Sequence, residues 1–65
     1  MKVKYFEETD TLYVELSGSN VAQTKELNEN LYVDLDSEGK VVSFTVEHAK
    51  SSSKKLDFSY ETIAA

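Results

Sequence analysis

Three groups of residues are of types that could do chemistry. Asp34, Asp36, Glu38 and Gly39 stand in the order D-x-D-x-E-G, which imitates the first half of a calcium-binding loop. Clustered carboxylates are what hard cations require. The twelfth position of such a loop must supply a bidentate Glu, and here it is Thr45. The segment also lies between two strand patterns rather than two helices, so a solvated hairpin turn is expected. Glu7, Glu8 and Asp10 form a second acidic cluster. Paired carboxylates do acid–base work when burial splits their pKa values. A chain of 65 residues rarely holds the cleft that this needs, and a solvated turn is again expected. His48, beside Glu47, is the third candidate. A lone His can act as a general base, but there is no cysteine and no serine in a nucleophile-elbow context. It reads as a surface His near a strand end. The two glycines, Gly18 and Gly39, fall in separate turns and make no phosphate loop. No catalytic, cofactor-binding or metal-ligating residue is assigned, and a non-enzymatic protein is expected.

The elements that carry these residues are strands. Leu31, Val33 and Leu35 share one parity, and Val42, Phe44 and Val46 share another run. Strand side chains alternate faces, so each run lays an apolar row on one side of a sheet. Gly39 supplies the positive φ that a short hairpin connection needs. Residues 2–6 (KVKYF) and 11–17 (TLYVELS) alternate in the same way and read as a first hairpin. Residues 21–27 (VAQTKEL) contain good helix formers, yet seven residues make a typical strand and a marginal helix. The expected fold is mainly β: an antiparallel meander of about five strands near 2–6, 11–17, 21–27, 31–36 and 40–47. A short C-terminal helix or arm follows. Leu56, Tyr60 and Ile63 have helical spacing, with Asp57 as a cap. The alternating Leu56, Phe58 and Tyr60 offer a strand instead. Residues 1–65 are expected to form one small domain, with 51–65 as a short helix or flexible segment.

Composition narrows the partners. Seven basic residues, all Lys, face twelve acidic ones, for a net charge of −5. Nucleic-acid affinity rests on Lys and Arg contacts to phosphates, so no nucleic acid is expected, and anionic membranes are disfavoured alike. The N-terminus has no apolar h-region, and no run approaches the roughly 18 apolar residues of a membrane span. A soluble cytoplasmic protein is expected. A domain this small buries only about 60% of its chain surface and usually needs a staple. Disulfides are excluded, which leaves a well-made small core or a partner chain.

The order of the pieces resembles a family of small prokaryotic proteins, the DUF2283 domain of unknown function. Its members read K-[IV]-x-Y, an acidic turn, a [VL]-Y-[IV]-x-L strand, T-x-E, and an Asn before V-x-V-D-x-D-x-x-G. Lys2, Tyr5, Leu12, Tyr13, Leu16, Thr24, Glu26, Asn30, Asp34, Asp36 and Gly39 fit that pattern. The resemblance covers residues 1 to about 50. It implies a β-rich fold and carries no mechanism.

The two faces of the sheet suggest a surface. If Leu12, Val14, Leu16, Leu31, Val33, Leu35, Val42, Phe44 and Val46 form the core, the opposite face carries Phe6, Tyr13, Tyr32 and Val41. Tyr is enriched at interfaces, so Phe6, Tyr13 and Tyr32 are the candidate protein-contact residues. The expected function is a non-enzymatic interaction module that binds another protein or itself as a homodimer. The alternative is a small metal-binding or enzymatic domain using the acidic turns.

Overall fold

The computed structural model describes residues 1–53 and 56–64. Among these, five strands form one antiparallel sheet: β1 (Lys2–Phe6), β2 (Thr11–Glu15), β3 (Gln23–Asn28), β4 (Leu31–Leu35) and β5 (Val41–Glu47). A single short helix, α1 (Ala49–Ser53), follows. The mainly β expectation holds, and each strand starts within two residues of its expected position. Residues 21–27 resolve as strand rather than helix, from Gln23 onward.

The sequential meander does not hold. The strand order is β1-β2-β5-β4-β3, so β2 pairs with β5 and β2–β5 make a Greek key. The physical reason is the composition of β3. QTKELN is polar at every position but Leu27 and exposed along its whole length. A sequential meander would place it in the centre of the sheet. The Greek key moves it to an edge and puts β5, whose Val42 and Ser43 are buried, in the middle. Lys25 and a register shift at Leu27 mark β3 as a protected edge. Residues 16–22 cross the end of the sheet to reach that edge. Both Leu16 N–H and Ser17 N–H donate to the Val42 carbonyl, and Ala22 N–H donates to the Leu35 carbonyl.

The turns follow their residues. In the β4–β5 connection Gly39 has φ +81° and donates to the Asp36 carbonyl. Asp36 Oδ1 accepts from Glu38 N–H and Lys40 N–H, both at 2.9 Å. This is a three-to-five-residue hairpin loop with its glycine in the left-handed region. In the β3–β4 turn Asn28 Oδ1 accepts from Asn30 N–H at 2.8 Å.

Of the alternatives expected for the C-terminal segment, a helix, a strand or an arm, residues 56–64 take the arm. Residues 56–64 form neither helix nor strand, and the helix that exists lies earlier, over AKSSS. Helical spacing at Leu56, Tyr60 and Ile63 could not select a helix in so short a segment, since helices under about 12 residues are marginal by themselves. Lys54, Lys55 and Ala65, part of the expected 51–65 segment, lie outside the described residues.

Candidate interaction surface

Strand pairing sorts the side chains into two faces. On one face, Val3 pairs with Val14, which pairs with Phe44, which pairs with Val33. Tyr5, Leu12, Val46 and Leu31 form the adjoining row. This is the apolar face. On the other face, Lys4, Tyr13, Thr45, Tyr32 and Glu26 line up across all five strands. Phe6 joins that polar face, opposite Thr11, and is 50% exposed. The three sequence-expected contact residues thus share one face. Tyr13 and Tyr32 flank Thr45, two strands apart, which is roughly 10 Å. The Tyr13 hydroxyl lies 3.5 Å from Glu15 Oε1. The negative charge of Glu47, then burial and Glu26, pushes the Tyr32 phenol above its ordinary range.

Val41 is the exception to the expected faces. A register shift in β5 pairs Asp34 with Ser43 but Leu35 with Val41, so Val42 is an extra residue. The bulge reverses the parity beyond it. Val41 therefore joins the apolar face, where it lines a hollow with Leu16, Leu31, Val33, Phe44 and Val46.

That face is only partly covered. Asp57–Tyr60 runs over the β1–β2 half, above Val3, Val14 and Phe44. Among the described residues nothing covers the β4–β5 half. The hollow there is ≈ 580 Å³ and lined by apolar side chains alone. Leu16 and Val41 are 46% and 45% exposed. The buried apolar side chains of the described residues are Val14, Val42 and Ala49, a very small core.

Glu7, Glu8 and Glu38 lie exposed in the expected solvated turns, whereas Asp10 is engaged. Asp10 takes φ +55°, a conformation that Asp tolerates better than most residues. Its carboxylate accepts four hydrogen bonds: from Tyr5 Oη (2.6 Å), Lys50 N–H (2.8 Å), Ser51 N–H (3.0 Å) and Ser51 Oγ (2.8 Å). It caps the first turn of α1 from a distant loop. The Tyr5 bond, then the Lys50 N–H, holds the Asp10 carboxyl well below the usual range. The same bond pushes the Tyr5 phenol up to about 12. The Lys50 ammonium lies 5.7 Å from the Tyr5 ring centroid, within cation–π range. Asp34 joins three strands, accepting from Thr24 Oγ1 and Ser43 Oγ, each at 2.6 Å. His48, at φ +56°, places Nδ1 3.0 Å from Asn30 Oδ1. Among the described residues no three His, Asp or Glu side chains converge as a metal site, and no helix is long and apolar enough to cross a membrane. The role of Asp10 was missed in the sequence. Its signal was local: an Asp ending a turn that has no Gly or Asn.

The family model for proteins of unknown function DUF2283 matches residues 2–50. The chain belongs to the DUF2283 family. The matched segment ends at Lys50, whose N–H donates to Asp10, so the DUF2283 unit spans the whole sheet and stops as α1 is docked. The arm over 56–64 lies beyond it. No curated protein and no solved structure matches the chain.

Proposed function

We propose that this DUF2283 protein is a cytoplasmic, non-enzymatic interaction module, and that its contact surface is the apolar face of the sheet. The observation that carries this is the hollow over Leu16, Leu31, Val33, Val41, Phe44 and Val46. A sheet is stable when its apolar face meets a second layer, and soluble monomers rarely leave contiguous apolar patches in water. The non-enzymatic part is supported by what the motif residues do. Tyr5, Thr24, Asn30, Asp34, Asp36 and Gly39 are all engaged in hydrogen bonds within the chain. They hold the sheet and its turns.

The test is methyl accessibility to a paramagnetic co-solvent, read by NMR on the dilute chain. The Val41, Val33 and Val46 methyls are expected to relax strongly. Protection equal to that of Val14 would show the face closed and would end this reading.

The polar face offers a second contact surface, because Phe6, Tyr13 and Tyr32 share it. The alternative of a metal-dependent function is checked by melting the protein with calcium, magnesium or manganese. Binding to the native state must raise the melting temperature, and no rise at millimolar metal is expected.

A further inference from the structure

We infer that the occupant of the apolar face is a second copy of this chain, packed sheet to sheet about a two-fold axis that runs parallel to the strands. This rests on the apolar face being the contact surface, and it names the partner.

The surface area points to an occupant of this size. The chain exposes 5216 Å². A compact monomer of 7.3 kDa exposes about 4,200 Å². The excess is about 1,000 Å², and a standard interface buries about 800 Å² on each partner. The radius of gyration agrees: it is 12.9 Å, against about 11 Å for a compact domain of this length. The extents of 35 × 32 × 18 Å describe a slab.

The face is also complementary to itself. One half carries a ridge, the arm over Val3 and Val14, whose Phe58 and Tyr60 are 56% and 80% exposed. The other half carries the apolar hollow. Rotation about an in-plane axis along the strands exchanges the two halves. It sets the arm of each copy opposite the hollow of the other and keeps the strands aligned, as in a sandwich. An axis across the strands would set arm against arm.

Charge permits the arrangement. Each chain carries −5, but Glu15, Glu26, Asp34 and Glu47 all point to the polar face. By register, Lys25 is the charged strand residue on the apolar face among those described. The strand carboxylates are therefore held apart, while Asp57 of the arm lies on the contact side, and added salt, which screens the like charges, strengthens the association.

Sedimentation equilibrium of the full chain, from micromolar to millimolar, tests this. The expected result is a reversible approach to twice 7.3 kDa, stronger at higher salt. Val41→Glu and Tyr60→Glu are each expected to weaken it more than tenfold. Both sites are exposed in one chain (45% and 80%), so the fold is retained, checked by circular dichroism. Isotope-filtered NOEs from Tyr60 of one copy to Val33 or Val41 of the other are expected. A monomer throughout, or a dimer indifferent to both substitutions, overturns the proposal. Methyl accessibility then separates the two failures. An open hollow in the monomer means that only the second copy was wrong. A hollow closed by the chain's own arm removes the contact surface as well.

Discussion

The Tyr5 hydroxyl donates a 2.6 Å hydrogen bond to Asp10 Oδ1, and through Asp10 the first hairpin holds the start of α1. The two residues lie five apart in sequence. The helix N–H groups on the other side of the carboxylate lie forty and forty-one residues away. One side chain thus joins the first loop to the end of the last strand.

This pair is expected to contribute to stability at both ends of the pH range. The folded Asp10 carboxyl titrates below its ordinary value of 3.8. A depressed acid stabilises the fold above its unfolded pKa, and that contribution is lost as pH falls below about 4. Tyr5 titrates upward from 10.0 to about 12, so its contribution is complete below pH 10 and is lost as pH rises through 12. Melting temperature against pH is expected to fall at both ends. Asp10→Asn should flatten the acid limb, and an unchanged acid limb would remove Asp10 from this role.

Tyr5→Phe keeps the ring under Lys50 and removes the donor. It is expected to increase amide exchange at Lys50 and Ser51 while leaving β3 and β4 unaffected. The measurement is hydrogen exchange by residue. Uniform destabilisation would show that the bond has no local role.

Val14 is 7% exposed and sits between Val3 and Phe44. Val14→Ala removes two methyl-sized contacts from a very small core. It is expected to cost about 2 kcal/mol, or roughly 10 °C in melting temperature for a domain of this length. A cost near zero would mean that the arm above it collapses into the space.

Gly39→Ala has room for its Cβ, with nothing within 4 Å, but φ is +81°. A left-handed alanine is expected to cost about 1 kcal/mol in denaturant unfolding, through backbone strain alone. Gly39→Asn should recover part of it, because Asn tolerates that conformation.

The polar-face surface has its own test. Tyr13→Ser with Tyr32→Ser is expected to leave the sheet folded and to weaken any association made through that face. Unchanged association would assign all contact to the apolar face, where self-association is tested by Val41→Glu.

The sequence by itself determined the strands. Alternation in 11–15, 31–35 and 41–47, and turn residues such as Gly39 and Asn28, act within a few residues and need no partner. It also placed Tyr13 and Tyr32 on one face, since parity is local. The tertiary structure decided the rest. Whether β2 meets β3 or β5 depends on which strand can bear an edge, a comparison across the whole chain. The bulge at Val42 depends on how β4 and β5 close against each other, and it alone moved Val41 to the apolar face. Asp10 became a cap only because the Greek key brings α1 beside the first loop. Leu56, Tyr60 and Ile63 kept helical spacing without a helix, because a short segment gains its structure from the surface it packs on.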